Sequence, residues 1–348
     1  MKKILFLSAA LCLTLVSGVY AQKERTPYST QSLAGKSVKE VSVETSGGHI
    51  EVAGGSDSEA KIEVYIQLNN RNDNDQQKEE IEKRLRESYD LTINVSGNKL
   101  TAIAKPKTGF RDWKRGLSIS FKILVPKEIT STLRTSGGHI KISNLVGAQD
   151  FTTSGGHLEI DNITGKMKGR TSGGHIQVKN SKDNMDLTTS GGHIDAENCS
   201  GDVIKLGTSG GHVTMNNLKG SIDASTSGGS IKGSTISGDL IAHTSGGNIN
   251  FKDLSCSLET STSGGNIDVA IKELGKFVKI SGSGGNIALE LPKNKGLDLK
   301  LRGDKIKVGT LTNFSGTLEE DNIDGKLNGG GVPVTVKAGS GRISLSMN

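Results

Sequence analysis

The 348 residues are 33% hydrophobic and 3% aromatic, with 47 glycines, five prolines and one tryptophan. This composition excludes a membrane bundle and is poor material for a large globular core. Glycine without proline or a strict triplet is not collagen either, so the balance favours a repetitive β architecture burying small branched residues over an α/β enzyme. Lys plus Arg is 43 against 37 for Asp plus Glu, a surplus of +6 with both signs interspersed, which suits solubility and gives no reason to expect a nucleic-acid partner.

The chain opens on Met1-Lys2-Lys3, an apolar run over 4–16, and then Ser17-Gly18-Val19-Tyr20-Ala21. A basic start, a short apolar stretch and a small residue at the end are the parts of a secretory signal, so 1–21 is expected to be a signal peptide cleaved after Ala21. The apolar run is short for a membrane span, so no transmembrane segment is expected after cleavage. Residues 22–36 are expected to be a flexible N-terminal segment. Next, Thr45-Ser46-Gly47-Gly48-His49-Ile50 gives the first copy of a motif that returns only at Thr135.

The intervening stretch carries mixed signals. Lys61–Leu68 alternates as a strand, and 73–89 places Ile81, Leu85 and Tyr89 on one helical stripe with Glu80/Arg84 and Glu82/Arg86 at i,i+4 spacing. Strands over 91–95, 99–104 and 117–125 follow, the last stopped by Pro126. An open β edge is adhesive, so this insert is expected to cap the repeats, with the first copy and the insert together spanning 37–130.

From Thr135 the motif recurs without a break, its serines at 136, 154, 172, 190, 209, 227, 245, 263 and, degenerate, 283. The spacing is 18, with one 19 and one 20, which leaves no room for a helix in each unit. Four residues past each serine comes Ile140, Leu158, Ile176, Ile194, Val213, Ile231, Ile249, Ile267 or Ile287, with a second apolar column two further on. This alternation predicts a short strand with one face inward. Turns fall at Gly-Gly, at Asn144, Asn162, Asn180, Asn198 and Asn217, and at a second glycine column beginning with Gly147 and Gly165. The predicted fold is all-β, a single-stranded parallel β-helix (β-solenoid) of about 18-residue coils, with a small α+β insert near the N-terminus. Regular coils are expected over 131–295 and degenerate C-terminal coils over 296–348, where Arg302-Gly303-Asp304-Lys305-Ile306 and Ala338-Gly339-Ser340-Gly341-Arg342-Ile343 read as worn copies. Beyond the leader only Cys199 and Cys256 remain, about three coils or ~14 Å apart, too far for a disulfide. Cys199 falls in an inward column, whereas Cys256 replaces a corner glycine and is expected to be partly exposed.

A strand ending at Val125-Pro126, then Leu133-Arg134-Thr135-Ser136-Gly137-Gly138-His139-Ile140, a stack of Ser-Gly-Gly-x-Ile units, and a closing Gly325-Lys326-Leu327-Asn328-Gly329-Gly330-Gly331 resemble the adhesin-like β-solenoid family of bacteria. The resemblance covers most of 37–348. It implies an exported protein, common in Bacteroidetes, with a surface or periplasmic binding role and no catalytic residues.

Two sets of side chains are candidate sites. His139, His157, His175, His193 and His212 sit three past the serine, opposite in parity to the inward isoleucines, so they face solvent ~5 Å apart. They form either a metal site for Zn²⁺, Ni²⁺ or Cu²⁺ or a ladder of polar rings, continued by Ser230, Asn248, Asn266 and Asn286. Phe110, Arg111, Trp113 and Lys114 place aromatics beside cations on one loop and are a candidate ligand surface. Glu159, Asp161, Asp195 and Glu197 share an outward face but are two coils apart with no cleft, so no catalytic residue is assigned and no cofactor is expected. The expected function is an exported, non-catalytic, adhesin-like binding or structural module of the cell envelope, in the periplasm, at the surface or released, with a glycan or protein partner. The rival readings are a polysaccharide-active β-helix enzyme and an envelope metal-binding protein.

Overall fold

A computed structural model of the protein describes residues 26–69, 77–107 and 116–348. Among these, 26 strands join in one mostly parallel sheet, with one α-helix, Gln77–Ser88. The repeats stack in register. Leu158 pairs with Ile176, Ile176 with Ile194, Ile194 with Val213, Val213 with Ile231, Ile231 with Ile249 and Ile249 with Ile267, so each unit lies directly on its predecessor. The two departures from an 18-residue period are absorbed as local register shifts. One lies between Gly201 and Val203, and others lie along the pairing of Ile249–Thr262 with Ile267–Gly282.

Each residue of the Thr-Ser-Gly-Gly motif has a physical task. The threonines are buried, and Thr153, for example, donates from Oγ1 to the Gly138 carbonyl of the unit below at 2.8 Å while accepting from the Gly156 amide of its own unit at 3.3 Å. The same pair of bonds recurs at Thr171, Thr189, Thr208, Thr226 and Thr244. At the second glycine the chains approach so closely that a Cβ on Gly156 would lie 1.8 Å from the Gly138 carbonyl oxygen. On the opposite corner Asn144, Asn162, Asn180, Asn198 and Asn217 all adopt φ between 54 and 57 except Asn180 at 51, the left-handed conformation asparagine tolerates best after glycine.

The core is one continuous apolar cluster of Ile, Leu, Val, Met and Ala columns running through all units. Two of its large rings fit because a neighbouring unit gives way: Gly169 lies where a Cβ would be 2.4 Å from Phe151, and Gly233 where it would be 3.0 Å from Phe251. Cys199 is buried as expected. Cys256 is also buried, at 1% exposure, correcting the expectation of an exposed corner: the longer unit above lays Gly275 directly over it. Burial pushes its thiol up to about 12, and both cysteines are free.

In the insert the strand Lys61–Leu68 matches the expectation, and the helix covers Gln77–Ser88 within the expected 73–89, of which 73–76 lie outside the described residues. Strands Tyr89–Ser96, Lys99–Pro106 and Leu117–Pro126 complete it. The first copy of the motif lies within the stack. Glu40–Thr45 pairs with Thr130–Thr135 on one side and Lys99–Pro106 on the other, while Ile50–Gly55 pairs with Ile140–Ser143 and Leu117–Pro126. The chain order is permuted at the far end as well. Val332–Ala338 and Arg342–Met347 pair with Ile267–Gly282 and Ile287–Leu291 on one side, and with Leu297–Arg302 and Lys305–Val308 on the other. The worn copy at Ser340 therefore precedes the one at Gly303 in the stack. The hairpin of Phe314–Leu318 and Asn322–Leu327 then pairs antiparallel on Leu297–Arg302.

Candidate functional site

The histidine column follows from the corner geometry. The second glycine turns the chain so that the next residue points out before the strand begins, and in-register stacking places identical side chains above one another. His139, His157, His175, His193 and His212 are exposed and stacked, with centroids 4.7–4.9 Å apart and planes within 17° of parallel. His49 extends the column, 4.9 Å from His139.

What the sequence does not reveal is the direction of each ring. The amide of His157 donates to Nδ1 of His139 at 2.7 Å, and the amides of His175, His193, His212 and Ser230 donate in turn to Nδ1 of His157, His175, His193 and His212 at 2.8–2.9 Å. A backbone amide can only donate, so each neutral ring carries its proton on Nε2. The later units keep the pattern with other chemistry: Oγ of Ser230 and Oδ1 of Asn248, Asn266 and Asn286 accept the amides of Asn248, Asn266, Asn286 and Arg342. The position thus requires an acceptor one unit below an amide, which explains why serine and asparagine replace histidine there. The signal in the sequence was the chemistry shared by the substitutes.

This geometry bears on the metal expectation. The Nδ1 lone pairs are occupied, and the parallel planes keep the remaining ring edges side by side, so no two imidazole lone pairs converge on one point. Among the described residues no group of three or more His, Cys, Asp or Glu could hold a metal ion. Burial holds the His139 imidazole below its ordinary 6.5, and the neighbouring His49 adds to the effect.

Phe110, Arg111, Trp113 and Lys114 lie outside the described residues. Glu159 and Glu197 do share an outward face, but each is held by a lysine of the adjacent unit, Glu159 by Lys141 at 2.6 Å and Glu197 by Lys179 at 3.2 Å. Arg170–Asp186 and Lys279–Glu259 repeat this alternation of sign on another face. Opposite charges on neighbouring units are thereby paired across these faces. Arg302 and Gly303 line a shallow depression with Asp321, Asn322 and Ala338. No described helix is long and apolar enough to cross a membrane, and residues 1–21 lie outside the described part.

No family model matches the chain, and no curated protein matches it. Among solved structures, it is similar to a "putative cell adhesion protein" from Clostridium sporogenes, at 11% identity over 93% of this chain and all of that one, with a TM-score of 0.21. It is also similar to a "putative adhesin" from Bacteroides fragilis, at 15% identity over 91% of this chain and 95% of that one, with a TM-score of 0.31.

Proposed function

We propose that this protein is a β-solenoid acting as an exported, non-catalytic, adhesin-like binding or structural module of the bacterial cell envelope. The observation that supports this most directly is the uninterrupted in-register stack: one surface position is repeated unit after unit, at an almost constant spacing. Such a surface suits an extended or multivalent partner, because many weak identical contacts are made together once the first is formed. The resemblance read from the sequence agrees with this assignment. The degenerate units and the insert close the two ends, and the leader 1–21 directs export.

The test is a binding screen of the protein lacking 1–21 against immobilised envelope and host glycans and proteins, with reducing-end release measured on every polysaccharide. Retention on at least one surface, with no new reducing ends, is the expected result. Release of reducing ends would make the protein an enzyme and overturn the reading.

A further inference from the structure

The hydrogen bonds of the column leave a one-sided surface. From His139 to Asn286, nine successive units use their side-chain acceptor on a backbone amide of the next unit. What remains to face outward is a donor in every case: Nε2–H of five histidines, the hydroxyl proton of Ser230, and the Nδ2 protons of Asn248, Asn266 and Asn286. At the measured rise of the imidazoles this is a row of donors ~38 Å long.

The charge distribution around the row has the same bias. The six residues from two before each serine to three after it, such as Arg134–His139 and Thr152–His157, contain no Asp or Glu in any of the nine units, in a chain with 37 of them. The charged groups within this strip are Arg134 and Arg170, joined by the titratable His243, and the serines at 136, 154, 172, 190, 209, 227, 245, 263 and 283 add an exposed hydroxyl in every unit. Carboxylates resume in the flanking columns, where Glu159, Asp186 and Glu259 are tied to Lys141, Arg170 and Lys279, while Asp150, Asp195, Asp223 and Asp268 make no ion pair among the described residues. A strip that offers donors and excludes carboxylates complements a partner rich in acceptors and negative charge along its length.

We infer that the face from the serine column to the histidine–asparagine column is a docking strip for a linear carboxylated polysaccharide, laid along the stack. The inference rests on the binding-module reading and specifies its partner. Each contact is a single exposed hydrogen bond, so affinity comes from their number.

The chemistry of the column supplies its own test. Asparagine at 139, 157, 175, 193 and 212 keeps both the inward acceptor and an outward donor. Aspartate keeps the inward acceptor but turns an acceptor and a charge outward. Binding to polygalacturonate, with dextran as the neutral comparison, is measured for the parent, for the five-fold asparagine variant, for His157→Asp with His193→Asp, and for Lys219→Asp, which makes the same net-charge change at an exposed position ten residues past Ser209, away from the strip. A second acidic variant, Ser154→Asp with Ser190→Asp, alters exposed side chains of the same strip should the first fail to fold, folding being checked by circular dichroism. The expected result is polygalacturonate binding at least ten-fold tighter than dextran, kept within about three-fold by the asparagine and Lys219→Asp variants and weakened at least ten-fold by a folded aspartate variant of the strip. Equal binding of the two polymers, no loss in a folded aspartate variant of the strip, or an equal loss in Lys219→Asp would overturn the inference. Capture by dextran or a protein with polygalacturonate inert would also overturn it while leaving the binding-module reading intact; cleavage of the polymer would remove that reading instead.

Discussion

Two adjacent glycines in one corner predict opposite outcomes for the same substitution. A Cβ on Gly155 meets nothing nearer than 3.8 Å, whereas one on Gly156 lies 1.8 Å from the Gly138 oxygen and 2.3 Å from its carbon. Neither has a positive φ, so the difference is one of approach between chains and not of backbone conformation. Relieving the Gly156→Ala contact requires the two units to part by roughly 1.5 Å, given that ordinary contacts begin near 3.4 Å. That movement breaks the bonds from Gly155 N to Ser136 O at 2.9 Å, Ile140 N to His157 O at 2.9 Å, Thr153 Oγ1 to Gly138 O at 2.8 Å and His157 N to His139 Nδ1 at 2.7 Å. At ~1 kcal/mol net for each, and more where a buried donor loses its partner, Gly156→Ala costs about 4 kcal/mol or more. Gly155→Ala stays within about 0.5 kcal/mol of the parent and can gain slightly from a stiffer unfolded chain. Denaturant unfolding followed by far-UV circular dichroism reads both. Equal midpoints for the two variants would refute the close-approach account of the Gly-Gly repeat.

Gly169→Ala is expected to cost about 1–3 kcal/mol, because its Cβ would lie 2.4 Å from the Phe151 ring, and Phe151→Leu is expected to recover part of that loss in a double-mutant cycle; additive effects would show the pair is uncoupled. The depressed imidazole of His139 gives a pH dependence with a definite sign. Its folded-state affinity for the proton is below the unfolded value near 6.5, so its contribution is complete above that value and is lost as pH falls through the lower folded one. The unfolding midpoint is therefore expected to be flat above pH ~7 and to decline in mild acid, and His139→Asn to reduce the decline; a rise on acidification would contradict it. In the neutral range, Zn²⁺, Ni²⁺ and Cu²⁺ are expected to leave the midpoint of the parent unchanged, since the ring lone pairs are occupied by amides. A metal-dependent rise absent from the five-fold asparagine variant would instead make the column a metal site.

The repeat made much of this architecture legible. A column that is apolar in every unit, such as Ile140 to Ile287, identifies an inward position because in-register stacking repeats one environment, and the alternation within 61–68 locates an insert strand because successive side chains point to opposite faces. Periodicity reports which residues are equivalent, however, and not which unit rests on which. The placing of Ser340 before Gly303, and of the first copy between the insert and the second copy, lies in which strands pair, which the equivalence of units does not report. The Phe151–Gly169 pairing was hidden because each residue alone looks like a lapse from consensus. Cys256 was misjudged because its surroundings are set by the longer unit above it. At the histidines the columns gave the outward direction, but the ring orientation depends on an amide one unit away in space and 18 or 19 residues away in sequence.

The interleaving of the ends bears on how the chain is made. Leu297–Arg302 and Lys305–Val308 leave the ribosome before Val332–Ala338 and Arg342–Met347, the strands on which they rest. At the other end, Glu40–Thr45 and Ile50–Gly55 must wait for partners some fifty residues or more downstream on both sides. The middle units can add one to the next as they are synthesised, but the two closing steps cannot, so they carry the largest loop-closure entropy and are expected to be the slow phases of folding. Once complete, the same arrangement protects both ends against unravelling: neither outer strand pair of the interleaved units can be peeled away in sequence order, because the chain that would leave first is held between two others. A stack whose units would otherwise fray one at a time is thus latched at each end by strands drawn from elsewhere in the sequence.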